Sequence, residues 1–158
     1  MEAVRAATER DLPLTVVTNS LQIADFAEDI KSWRTILPGG TVRSGHRHLG
    51  DEPGESFIKS LHADICMTGA SAVTGTLLTE TSLEVASLKR AMIASARRTV
   101  LLVDSSKFKA PGFCTLSDIS EIDEVITDTG ISQDALTSLR ATERKVTLVS
   151  LPAPAPLT

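Results

Sequence analysis

The feature that most constrains this chain is a repeated alternation. Short runs of β-branched and aliphatic residues, each too brief for a helix, are separated by stretches whose apolar residues recur at helical spacing. Leu14-Thr15-Val16-Val17-Thr18 is the first run and reads as a buried strand. From Ser20 the pattern changes: Ile23, Ala27 and Ile30 share a face, and Gln22, Asp25 and Asp29 fall away from it. Ala63 to Thr68, Thr99 to Asp104, Glu124 to Asp128 and Lys145 to Ser150 repeat the strand theme. Of these, Thr99-Val100-Leu101-Leu102-Val103 is apolar throughout, as expected of a parallel strand covered on both faces.

The intervening segments predict helices. Ser82 is placed to cap a long helix running to Arg98, with Val85, Leu88, Met92 and Ala96 as its apolar stripe. Shorter helices are predicted over Glu2 to Arg10, closed by Pro13, over Glu55 to Leu61, and near Gln133 to Arg140. Trp33 to Leu37 is a short apolar segment ended by Pro38-Gly39-Gly40, and Thr41 to Leu49 reads as a polar hairpin excursion. The sum is an α/β fold with a largely parallel sheet flanked by helices. At 158 residues and 42% hydrophobic content, residues 1–150 are expected to form one domain. The Pro- and Ala-rich tail 151–158 lacks regular backbone donors and is expected to be extended or disordered.

Composition removes several function classes. Sixteen basic against 20 acidic residues, a net charge of -4, leave no broad cationic field for a phosphate backbone. Aromatic residues are 3% of the chain, with no tyrosine, so a base-stacking platform is not expected. Cys66 and Cys114 lie far apart without neighbouring ligands at zinc spacing, and both read as inert thiols in a reducing cytoplasm. No apolar run approaches the roughly 20 residues that span a bilayer.

In a parallel sheet, ligands gather beyond the carboxyl ends of the strands, where loops meet helix N-termini. Here those ends are Thr18-Asn19-Ser20, Pro38-Gly39-Gly40, Gly69-Ala70-Ser71, Asp104-Ser105-Ser106-Lys107 and Thr127-Asp128. Small hydroxyls, glycines and a lysine suit a small polyhydroxylated anion. Taken singly, each has a bland reading: Asn19-Ser20 as a helix cap, Gly39-Gly40 as a turn, Lys107 as a solvated cation. His46 and His48 near Asp51 and Glu52 fit a polar hairpin face better than a metal site. Lys89 and Arg90 read as solubilising groups on an exposed helix face and are left outside the site. No catalytic residue, metal or cofactor is assigned.

Five segments in order resemble the DeoR-family effector-binding domain: Leu14 to Ser20, Leu37 to Arg43, Leu88 to Ile93, Val103 to Phe108 and Ile122 to Asp128. The resemblance runs from about Ala3 to Ser150. It implies a fold related to ribose-5-phosphate isomerase and glucosamine-6-phosphate deaminase, used to sense phosphorylated sugars in an oligomeric cytoplasmic regulator, typically a repressor of a sugar-catabolism operon. By resemblance Thr18, Asn19 and Ser20 contact the sugar or its phosphate, and Gly39 and Gly40 allow close backbone approach. Gly69, Ala70 and Thr79 line the pocket, and Lys107 neutralises charge. The family places a Glu four residues before the helix Lys; here Val85 stands there, with Glu84 one step away as a weaker candidate.

The family normally also carries a winged helix-turn-helix, through which DNA would be bound, and an Asp-x-Gly-Ser/Thr-Thr-like phosphate loop before the first helix, and neither is expected within this chain. Two other readings remain at this stage. One is a sugar-phosphate isomerase or deaminase using Asp104, Asp128 or Glu84 as base; the other is a truncated oligomerisation module.

Overall fold

The computed structural model describes residues 2–42, 45 and 47–150; Arg43 and His46 of the expected hairpin, and the tail 151–158, lie outside them. The chain divides into two compact units, residues 1–60 and 61–158.

In the first unit, α1 (Glu2–Thr8) precedes β1 (Leu14–Val17), α2 (Leu21–Ala27) and β2 (Trp33–Ile36). β1 and β2 pair in parallel from Leu14↔Trp33 to Val17↔Ile36, with α2 as the crossover. Ser20 starts α2 from an extended conformation, its hydroxyl accepting from the Ile23 N–H at 3.3 Å. The hairpin excursion is a two-residue antiparallel pair, β3 (Thr41–Val42) with β4 (Leu49–Gly50), followed by α3 (Glu52–Lys59). Gly40 enters β3 at φ +116°, and a Cβ there would lie 2.0 Å from the Gly50 carbonyl oxygen. Only glycine fits that approach.

The second unit holds β5 (Cys66–Thr68), β6 (Ala72–Thr74), β7 (Leu77–Glu80), α4 (Leu83–Ala94), β8 (Thr99–Leu102), β9 (Cys114–Asp118), β10 (Glu124–Asp128), α5 (Gln133–Arg140) and β11 (Lys145–Val149). Short 3-10 turns span Ser105–Lys107 and Ile119–Glu121. The parallel layer is four-stranded, in the order β11-β10-β8-β5. Its inward residues Leu101 and Val125 are fully buried with Leu78, Leu116, Ile119 and Ile122, each such side chain contributing roughly 1.5–3 kcal/mol by leaving water.

Beside this layer stands a three-stranded antiparallel sheet, β6-β7-β9, which the sequence pattern did not reveal. β6 and β7 form a hairpin through Gly75 and Thr76, with Gly75 at φ +60°, and β9 adds to β7 from Leu77↔Asp118 to Glu80↔Cys114. α4 packs against β5, β7 and β9, and α5 against β11.

One helix, α4, differs from expectation in its end and in its buried face. α4 ends at Ala94 rather than at Arg98, because Ala96 is drawn into a parallel bridge with Ala63 and the Arg97 N–H donates to the Ala63 carbonyl at 2.9 Å. Those bonds pull the backbone out of the helix and aim it into β8. Its buried face also turns, to Ala86, Leu88, Ala91 and Ile93.

Candidate functional site

The expected site residues fall in both units. Thr18, Asn19, Ser20, Gly39 and Gly40 belong to the first. Thr18 is buried, its N–H extends the β1–β2 ladder to the Ile36 carbonyl, and its hydroxyl accepts from the Ser20 N–H at 3.1 Å. Asn19 exchanges two bonds with Leu49: its amide nitrogen donates to the Leu49 carbonyl, and its own carbonyl accepts from the Leu49 N–H. These residues therefore hold β1, α2 and β4 together. Gly39, at φ +82°, has open space where a Cβ would stand. His48 forms an isolated bridge with Ser20.

In the second unit, adjacent parallel strands bring their exits side by side. A Cβ on Gly69, just after β5, would lie 3.3 Å from the carbonyl of Leu102 at the end of β8. The Gly69-Ala70-Ser71 loop is tied to the end of β7 by a group that sequence reasoning missed, the buried carboxylate of Glu80. Its Oε2 accepts from the Ser71 hydroxyl at 2.6 Å, and its Oε1 accepts from the Lys89 ammonium, which also donates to the Gly69 carbonyl at 2.9 Å. Lys89 is thus part of this strand end, contrary to the solubilising role expected of it. Two of its three N–H groups are used, its side chain is 23% exposed, and one N–H has no protein acceptor among the described residues. Nothing in local sequence connects Glu80 to Lys89; the strand carrying Glu80 has to be known first.

Thr79 is 2% exposed, donating to the Ala72 carbonyl and accepting from the Gly112 N–H at 2.8 Å. It braces the floor of this strand end instead of facing solvent. Gly112 packs hard against the same corner: a Cβ there would be 2.8 Å from the Glu80 carbonyl oxygen. Cys114 lies alongside, its thiol donating to that carbonyl at 3.5 Å. Burial pushes the Cys66 thiol up to about 11, opposed in part by the nearby Lys89 charge, so little thiolate exists at neutral pH. Glu84 sits in the first turn of α4, where a carboxylate is favoured, and accepts from the Ser82 hydroxyl at 2.5 Å.

Beyond β8, Asp104 caps the Ser105–Lys107 turn. It accepts from both the N–H and the hydroxyl of Ser106, and these bonds, the hydroxyl's first, hold its carboxyl below the ordinary range. Lys107 closes the turn half-buried, and its ammonium has no hydrogen bond or salt bridge among the described residues. The Lys89 ammonium thus stands at the exit of β5, and Lys107 is carried on the turn that follows β8, the neighbouring strand of the same sheet. One open concavity of this unit, about 220 Å³, lies elsewhere, lined by Val73, Thr74, Gly75, Phe108, Lys109, Ala135 and Ser138, and holds none of the expected site residues. Among the described residues no group of His, Cys, Asp and Glu is arranged to hold a metal ion, and no helix is long and apolar enough to cross a membrane.

A family model described as the DeoR C terminal sensor domain matches residues 1–129. The chain belongs to this family. The match ends just past β10, so α5 and β11 extend the sensor domain's sheet beyond it. The sensor domain is 35% identical over 129 residues to the glycerol-3-phosphate regulon repressor of Escherichia coli, covering 80% of this chain and 51% of that protein. It is 32% identical over 114 residues to the HTH-type transcriptional repressor GlcR of Bacillus subtilis, covering 72% and 44%. To the L-fucose operon activator of Haemophilus influenzae it is 31% identical over 120 residues, covering 75% and 48%. The chain spans about half the length of these relatives. What the match identifies in it is a DeoR-type sensor domain.

Proposed function

We propose that this sensor domain binds a phosphorylated sugar and transmits its occupancy to an operator-binding helix-turn-helix in a homo-oligomeric cytoplasmic repressor of a sugar-catabolism operon. The observation that carries the reading is the pair of strand-exit lysines, Lys89 and Lys107, whose ammonium groups keep unused donors at one end of the parallel sheet. Such a pair fits a dianionic phosphate, and the Gly69 and Ser71 loop supplies polar backbone and hydroxyl groups for sugar oxygens. Relatives named for a glycerol-3-phosphate regulon and an L-fucose operon support a small polyhydroxylated effector. In the second unit Gly69, Ala70, Glu84 and Lys107 are the proposed contacts, with Thr79 bracing the floor beneath them, and Thr18, Asn19, Ser20, Gly39 and Gly40 are proposed as contacts within the first unit.

The carboxylates that an isomerase would need as base favour sensing over catalysis. Asp104 and Asp128 are both held below the ordinary carboxylate range by hydrogen bonds, which weakens them as proton acceptors, and both Asp128 oxygens are occupied. The effector biases the regulator by binding one conformation better than another.

A thermal-shift screen against glucose 6-phosphate, fructose 1-phosphate, fructose 6-phosphate, ribose 5-phosphate and glycerol 3-phosphate tests the proposal, with the unphosphorylated sugars as controls. A native-state ligand at 100 times its Kd adds about 2.7 kcal/mol of stability. A rise with one or two phosphorylated compounds and none with their parent sugars is expected. A flat response across the panel, or equal shifts with parent sugars, contradicts it.

A further inference from the structure

Asp128 ends β10 next to the exit of β8 and is only 6% exposed. One carboxylate oxygen accepts from the Ser105 N–H at 2.6 Å and the other from the Gly130 N–H at 2.8 Å. The first bond reaches across 23 residues of sequence to the turn that carries Lys107; the second closes the loop that leads to the Ser132 cap of α5. The junction has no spare room. A Cβ on Gly130 would lie 2.7 Å from Asp128 Oδ1 and 2.8 Å from Ser105 Oγ. The buried carboxylate stays charged because these same backbone donors, Ser105 first, hold it below the ordinary aspartate range.

We infer that Asp128 is the positioning residue of the effector site, fixing the Ser105–Lys107 turn so that Lys107 is presented to the phosphate. The inference rests on the reading of Lys107 as an effector contact. A lysine on a free loop spreads its charge over many positions and loses ordering entropy when it binds; a lysine on a clamped turn has that cost met in advance. Asp104 shapes the same turn from within through Ser106 and Phe108 at its end bridges to Val73, whereas Asp128 ties its start to the end of β10.

The test uses the whole chain and two readouts. In Asp128→Asn, one oxygen is replaced by an amide that meets a backbone N–H instead of accepting from it. Hydrogen exchange at Ser105 and Gly130 is expected to accelerate at least about tenfold, with the β8 amides unchanged. Affinity for glucose 6-phosphate, fructose 1-phosphate or glycerol 3-phosphate, whichever the wild-type chain binds, is expected to fall about tenfold. In a Lys107→Met background the same substitution is expected to cost nothing further, because Asp128 acts through Lys107. Gly130→Ala, which loads the same junction from the other side, is expected to reproduce both effects and serves if Asp128→Asn does not fold.

Unchanged exchange at Ser105 overturns the inference. So does an affinity loss that persists undiminished in the Lys107→Met background, which marks a general structural role. If the wild-type chain binds none of the three compounds, the effector reading and the positioning role fall together, and the exchange measurement still reports separately whether Asp128 clamps the turn.

Discussion

Replacing Lys89 by methionine probes the strand end most directly. The substitution keeps the aliphatic stem and removes the ammonium, leaving the Glu80 carboxylate, 5% exposed, with the Ser71 hydroxyl as its remaining side-chain donor. Removing one partner of a buried ion pair costs about 3–5 kcal/mol. Here the remaining Ser71 bond and the partial exposure of Lys89 reduce that to roughly 2–4 kcal/mol, equivalent to about 5–15 °C in Tm for a chain of this size. The assay is urea unfolding followed by far-ultraviolet circular dichroism, which reads the strands and helices of this unit directly, whereas Trp33 belongs to the first. The double variant Glu80→Gln/Lys89→Met removes the orphaned charge and is expected to recover at least about 1 kcal/mol of the loss. A Lys89→Met loss below about 0.5 kcal/mol, or a double variant less stable than the single one, refutes the reasoning: the pair would then behave as a surface ion pair.

Other expectations follow from particular contacts. Glu124 is buried at the start of β10 and is held below the ordinary glutamate range by hydrogen bonds, first from Lys145 at 2.9 Å, then from Thr147 and Arg98. A carboxyl depressed on folding stabilises fully above its unfolded value and loses that contribution as pH falls through its folded one, so between about pH 5 and pH 3 wild type should lose stability faster than Glu124→Gln; parallel acid-unfolding curves would contradict this. Gly40→Ala, whose Cβ would stand 2.0 Å from the Gly50 oxygen at φ +116°, should cost at least about 2 kcal/mol, read by Trp33 fluorescence in the first unit. Cys66, with its thiol up at about 11 and buried, should resist thiol reagents at pH 7.5 while the more exposed Cys114 reacts, as mass spectrometry of partially labelled chain would show.

The parallel layer was readable because burial on both faces leaves a plain record: Thr99–Leu102 and Glu124–Asp128 are nearly continuous apolar or β-branched runs, and both are strands of that sheet. The antiparallel sheet was not, for two reasons. β6 and β7 are only three and four residues long around Gly75-Thr76, and β9 joins β7 from 34 or more residues away, a pairing that no local pattern encodes. The site inherited this gap. Lys89 reads from sequence as a solvated helix lysine because its partner, Glu80, lies on strand β7, which no local pattern marks. Thr18, Asn19 and Ser20 show the opposite limit: their residue types serve equally for capping a helix and for touching a ligand, and their hydrogen bonds to Ile23, Ile36 and Leu49 account for the first use without deciding the second.

If Lys107 holds a phosphorylated sugar at the strand exits, its ammonium should supply a measurable share of the binding. Isothermal titration of the whole chain with the compound that raises its Tm most, repeated with Lys107→Met, tests it directly. Losing one charge-assisted contact to phosphate is worth about 1.5–3 kcal/mol, so a Kd weakened roughly 10- to 100-fold at unchanged Tm of the free protein is predicted. An unchanged Kd, or no heat of binding from the wild-type chain, would contradict the account.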